Sequence, residues 1–158
     1  GLMPKMEAHK KGVLHRAFSV FIFNSTNSLL MQKRSMVKYH SPGLWTNTCC
    51  SHQRDGESTI EAANRRLMEE MGLAVKINEV FSFIYRAYLN NSLIEHEYDH
   101  VLIGYTDFDP KVNIDEVEDW RWMDLKFLEE DLDKNSDIYT EWFKIIFKKV
   151  KNYINSSN

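Results

Sequence analysis

"STIEAANRRLMEEMG" (residues 58–72) decides how the rest of the chain is read. Ser58 is placed to accept a hydrogen bond from the backbone N–H of Glu61, and the Glu61 side chain to reach back, so the pair predicts a helix start. Gly72 supplies a residue that tolerates the left-handed conformation in which helices commonly stop. Ile60, Ala63, Leu67 and Met71 recur at helical spacing and make one apolar stripe. Arg66 and Glu70, four residues apart, flank that stripe. A helix with one apolar stripe has to bury it against another layer.

The flanks supply that layer. Segments 17–24 (AFSVFIFN), 28–34 (SLLMQKR), 80–89 (VFSFIYRAYL) and 93–105 (LIEHEYDHVLIGY) are rich in β-branched and aromatic residues and read as strands. NSTN and NNS are turn chemistry between consecutive strands. WRWMDL predicts a short strand, KFLEEDL a helical turn, and 138–154 a second helix ending in a solvated tail at 154–158. Strands dominate the middle, with one helix among them and another at the end, which predicts layered α/β or α+β architecture. At 158 residues, 43% hydrophobic and 27% charged, residues 1–158 are expected to form one domain with its own core.

Bulk properties narrow the function. A net charge of −3 gives no reason to expect nucleic acid or an acidic membrane as the main partner. The longest apolar run, around Phe18–Phe23, is far too short to cross a bilayer. The start GLMPKMEAHKKG lacks an apolar signal core, so a cytoplasmic location is expected, with residues 1–3 read as a cloning remnant and disordered start. The only two cysteines, Cys49 and Cys50, are adjacent in TNTCCSH and read as reduced thiols.

The helix and its approach resemble a Nudix box, G-x5-E-x7-R-E-x-x-E-E-x-G, followed by an apolar residue. The register gives Ser51 in place of the first glycine, then Glu57, Arg65, Arg66 in place of a glutamate, Leu67, Glu69, Glu70, Gly72 and Leu73. Clustered carboxylates on such a helix suit Mg²⁺ against a diphosphate, because hard cations prefer oxygen ligands. A solvated face held by i,i+4 ion pairs is the plainer alternative. Arg66 removes one carboxylate and installs a cation able to meet phosphate oxygens, which argues against hydrolysis while leaving the fold expectation intact.

EHEYD (95–99) forms a second acidic cluster. In a strand, Glu95, Glu97 and Asp99 share one face and His96 and Tyr98 the other. Buried carboxylates need positive company. His9, His15 and His52 are candidates to join them around one divalent ion.

Together, HRAFSVFIFN, PGLWTNTCCSH, the altered box, EHEYD and EWFKII resemble the type I isopentenyl-diphosphate isomerases, in that family's order from about His9 to Trp142. The resemblance implies a Nudix-type mixed β-sheet sandwiched between helices, and interconversion of isopentenyl and dimethylallyl diphosphate by adding one proton and removing another. By the same resemblance, Cys50 and Glu97 are the acid/base pair, Tyr85 orients or relays a proton, and Trp142 faces the carbocation. It places a divalent ion (Mn²⁺, Zn²⁺ or Mg²⁺) on His9, His15, His52, Glu95 and Glu97. A second ion, Mg²⁺ bridging to the diphosphate, falls on Glu70, and Arg34, Lys38, Arg66 and Lys5 fall beside the diphosphate. Cys49 takes a variable position. The partner implied is a small C5 diphosphate, handled by a monomer or weak dimer. A Nudix pyrophosphohydrolase acting on a nucleoside diphosphate derivative is the rival.

The chemistry demands such residues. Protonating an unactivated alkene creates a tertiary cation that water would quench, so the site must be dry and electron-rich. An indole face contributes roughly 2 kcal/mol or more when desolvated.

Overall fold

A computed structural model describes residues 2–89 and 92–157. Asn90 and Asn91, from the predicted NNS turn, lie outside the described residues. Among those described, seven strands form one mixed sheet: β1 (His15–Phe23), β2 (Ser28–Arg34), β3 (Trp45–Thr46), β4 (Cys49–Ser51), β5 (Ile77–Tyr88), β6 (Ile94–Tyr105) and β7 (Val117–Asp124). The helices are α1 (Lys5–Lys11), α2 (Thr59–Met71), α3 (Leu125–Lys134) and α4 (Glu141–Ser156). No helix among the described residues is long and apolar enough to cross a membrane.

The strand order is β3-β2-β1-β6-β5, with β4 also paired to β1 and β7 to β2. The β1–β6 pair is parallel and the other pairs are antiparallel. Strand β1 is buried from Ala17 to Phe23. Phe21 and Phe23 pack into one cluster with Trp142, Phe143, Ile146, Phe147 and Val150 of α4. Phe18, Val20 and Ile22 pack into another with Ala62, Ala63, Leu67 and Met71 of α2. This two-sided burial explains the continuous apolar run, since a strand covered on both faces loses polar alternation. Each full burial of such a side chain is worth roughly 1.5–3 kcal/mol.

Local chemistry sets the boundaries. The Ser58–Glu61 capping box forms in both directions, and Gly72 ends α2 at φ 62°. A Cβ on Gly72 would lie 2.5 Å from the Lys111 carbonyl oxygen, so both backbone angle and space require glycine there. In the β1–β2 turn Asn24 Oδ1 accepts from Thr26 N, Thr26 Oγ1 and Ser28 N, while Asn27 takes φ 59°.

Four expectations change. Ile60 is 40% exposed, and the buried face of α2 turns toward Ala62 and Glu70, where the two small alanines let the helix approach β4. KFLEEDL belongs to a ten-residue helix, and α4 continues to Ser156, through the residues read as the start of a tail. Helix α1 was not expected at all: seven residues rarely hold a helix alone. It forms because Gly12 caps it at φ 65° and Ala8 and His9 are buried.

Candidate active site

The parallel β1–β6 register sets His15 directly beside Glu97. On the other side of β6, β5 sets Tyr85 opposite Glu97 and Ala87 opposite Glu95. Glu95, Glu97 and Asp99 are all buried, as expected from strand alternation. His52 follows β4, and α1 delivers His9 from above with no exposed surface. One ligand atom from each of His9, His15, His52 and Glu97 lies within 4.8 Å of every other.

These residues fit a divalent ion. His15 Nδ1 donates to the Val13 carbonyl at 2.8 Å and His52 Nδ1 to the Arg16 carbonyl at 3.0 Å, which leaves the Nε2 lone pairs free. The Nε2 atoms of His15, His52 and His9 stand 3.3, 3.7 and 3.9 Å from Glu97 Oε1. Donors sharing one ion at about 2.1 Å sit about 3.0–3.4 Å apart, so a contraction of some tenths of an ångström would gather them. His9 Nε2 and His15 Nε2 are buried without a hydrogen-bond partner, as ligand atoms awaiting a cation would be. Burial pushes the His52 pKa down to about 4, keeping the imidazole neutral and able to ligate. Glu95 is less central: its Oε2 is 4.0 Å from His9 Nε2, and it shares a second compatible group with His9 and His40.

The carboxylates are strongly differentiated. Burial opposes ionisation of Glu97, but the close approach of the His52, His15 and His9 imidazoles outweighs it and holds its pKa below the usual range. Burial, and then the Glu97 charge, push Glu95 well above that range. The Tyr85 hydroxyl donates to Glu95 Oε1 at 2.5 Å and Glu97 Oε2 at 3.1 Å. A bound cation would draw both carboxylates toward ionisation.

Cys50 faces the same pocket, while Cys49 turns away. Cys49 Sγ donates to Glu70 Oε2 at 3.4 Å on the α2 side. Cys50 Sγ accepts from the Trp142 indole N–H at 3.1 Å and lies 3.5 Å from Asn47 Oδ1. Burial pushes the Cys50 thiol up to about 12, so it holds its proton at neutral pH. The surrounding TNT is structural support that sequence reading left unassigned. Asn47 Nδ2 donates to the carbonyls of Val20 and Cys49, and Thr48 Oγ1 donates to the Leu30 carbonyl. Thr140, the N-cap of α4, donates to Thr46, and Thr46 donates to Asn47. One continuous network therefore fixes Trp142 against Cys50. The buried polar side chains in a turn-like TNT were the signal that could have revealed it.

Arg34 and Lys5 line the pocket with Ser19, Cys50, Glu97 and Trp142, and it opens to one side. The Arg34 guanidinium lies 5.2 Å from the Trp142 ring centroid, and its Nε is buried without a partner. Three expected residues belong neither to this pocket nor to the histidine–carboxylate cluster. Glu70 lies on the Cys49 side, receiving hydrogen bonds from Gln32, Cys49 and Arg66. Arg66 pairs with Glu69, Glu70 and Glu116, and Lys38 with Glu116. Both cations are thus engaged by carboxylates, because Glu116, distant in sequence, comes between them. His40, not singled out from sequence, lines the pocket with its ring edge-to-face on Trp142 at 5.6 Å, and burial lowers its pKa to about 2.

Residues 13–143 match the NUDIX domain family. The isopentenyl-diphosphate Delta-isomerase 1 of Aromatoleum aromaticum is 52% identical over 150 residues, spanning 95% of this chain and 85% of that protein. The isopentenyl-diphosphate Delta-isomerase 2 of Photorhabdus laumondii is 53% identical over 146 residues, spanning 92% and 82%. Among solved structures, the MutT protein of Methanosarcina mazei superimposes with a TM-score of 0.72 at 18% identity, covering 92% of this chain and 96% of that one.

Proposed function

Because this chain belongs to the NUDIX family and, within it, to the isopentenyl-diphosphate Delta-isomerases, we propose that Cys50 and Glu97 carry out its allylic proton shift. The observation that carries this assignment is that Cys50 and Glu97 line one pocket, the thiol sulfur held by the Trp142 indole N–H and the carboxylate by the Tyr85 hydroxyl. Isopentenyl diphosphate gains a proton at its terminal CH₂, becomes a tertiary cation, and loses a proton from the carbon nearer the diphosphate. One proton enters and one leaves, with no change of oxidation state. One of the two groups delivers and the other collects, and the reverse direction exchanges their tasks.

Tyr85 orients the Glu97 carboxylate by donating to it. Trp142 holds the Cys50 sulfur through its N–H and presents an aromatic wall to the cation. Arg34, with an unpaired buried N–H, anchors diphosphate oxygens, and Lys5 adds charge at the same pocket. His9, His15, His52, Glu97 and Glu95 hold a divalent ion (Mn²⁺, Zn²⁺ or Mg²⁺), which when bound supplies positive charge that keeps the Glu97 carboxylate ionised and in place. Glu70 would hold a Mg²⁺ that also meets the diphosphate; Arg66 and Lys38 would have to release Glu116 to join it. The chain would act as one domain in the cytoplasm, as a monomer or weak dimer.

The test is incubation with isopentenyl diphosphate in deuterated water. Dimethylallyl diphosphate carrying deuterium supports the assignment when Cys50→Ala and Glu97→Gln each abolish its formation. Normal turnover by Cys50→Ala refutes the assignment. Release of phosphate from nucleoside diphosphates, without isomerisation, would support a pyrophosphohydrolase instead.

A further inference from the structure

The three histidines that converge on Glu97 are not supported alike. His15 and His52 each donate Nδ1–H to a backbone carbonyl, an acceptor that no substitution removes. His9 Nδ1 instead meets a side chain, the Tyr39 hydroxyl, at 2.8 Å. We propose that Tyr39 is a positioning residue for the metal centre, fixing the tautomer and ring orientation of His9 so that its Nε2 lone pair faces the ion. The inference rests on the metal-binding assignment made above.

The chemistry follows from what imidazole can offer. Ligation through Nε2 requires the ring proton on Nδ1, and a buried Nδ1–H requires an acceptor. His9 has no exposed surface, so water cannot replace that acceptor. A phenol is neutral at pH 7, and its oxygen can accept the Nδ1–H hydrogen bond at this distance. Without the hydroxyl, the Nε2–H tautomer becomes competitive, and it points a proton at the position the ion must occupy.

The arrangement also ties two separate segments together. His9 rides on α1, whose seven residues are anchored by few buried side chains, while Tyr39 belongs to the loop between β2 and β3. The Tyr39 ring packs edge-to-face on His40 at 4.4 Å and lies 5.6 Å beneath Lys5 Nζ. Tyr39→Phe preserves the ring and these contacts and deletes only the acceptor.

The experiment measures Zn²⁺ affinity of the full chain by competition with a chromophoric chelator, for wild type, Tyr39→Phe and His9→Ala. Groups that hydrogen-bond the far nitrogen of ligating histidines typically account for 10–100-fold in metal affinity, and a loss in that range is expected for Tyr39→Phe. The ¹⁵N spectrum of the metal-free protein should show His9 as the Nδ1–H tautomer in wild type and shifted toward Nε2–H in Tyr39→Phe. This signature would not move if Tyr39 merely supported the loop. Unchanged Zn²⁺ affinity together with an unchanged tautomer in Tyr39→Phe overturns the role of Tyr39 and leaves the metal site standing. If His9→Ala binds Zn²⁺ as tightly as wild type, the metal assignment of His9 fails, and the role of Tyr39 with it.

Discussion

Replacing Trp142 by Phe separates two contributions that the same ring makes. The indole N–H donates to Cys50 Sγ at 3.1 Å, and the aromatic face borders the pocket. Phe keeps a ring and loses the donor. In the proposed proton transfer the Cys50 sulfur gains negative charge, and a hydrogen bond to a charged acceptor is worth about 1.5–3 kcal/mol. At about 1.4 kcal/mol per tenfold, kcat should fall roughly 10- to 100-fold. KM should barely move, because the proposed diphosphate anchors, Arg34 and Lys5, are unchanged. The thiol also begins high, near 12, so losing a donor should slow its alkylation by iodoacetamide at a fixed pH of 8 by a similar factor. Steady-state kinetics on isopentenyl diphosphate and the alkylation rate together test this. A decrease of less than threefold in kcat, or an effect confined to KM, would refute the claim that the indole N–H assists the thiol.

Other substitutions probe other levels. Cys49→Ala should leave turnover within about threefold and cost about 1 kcal/mol in urea unfolding, since Cys49 is buried against Glu70 and away from the pocket. Gly72→Ala should destabilise by at least about 2 kcal/mol, adding the left-handed penalty to a 2.5 Å approach to the Lys111 carbonyl; a shift under 0.5 kcal/mol in chemical denaturation would contradict it. Hydrogen bonds from Tyr139 and Asn135 hold Asp131 below its ordinary 3.8. A depressed carboxylate stabilises above its unfolded pKa and loses that contribution as pH falls through the folded value. Tyr139→Phe should therefore cost about 1 kcal/mol at pH 7 and progressively less below about pH 4, read as the gap between the two stability–pH curves.

Much of the fold was legible in the chain because its signals are local. A capping box, a glycine stop and period-3.6 apolar residues act within α2 itself, and asparagine side chains close their own turn before β2. The face-sharing of Glu95, Glu97 and Asp99 follows from strand alternation. Likewise, the contrast between Cys49 and Cys50 follows from opposite sides of a three-residue strand, one facing Glu70 and the other Trp142.

What sequence alone determined, then, was residue type, local element and, through family resemblance, the set of groups that belong together. Tertiary structure alone decided which of them meet. The parallel register brought His15 to Glu97, although 82 positions separate them in the chain. Helix α1 exists only by packing, so the placement of His9 could not be read from EAHKKG. Glu116 captured Arg66 and Lys38 because charges pair through space, with no regard for separation along the chain. Nothing in the sequence singles out Tyr39; only the fold sets its hydroxyl against His9. A side chain's type fixes what it can donate or accept, and only the packed chain fixes to whom.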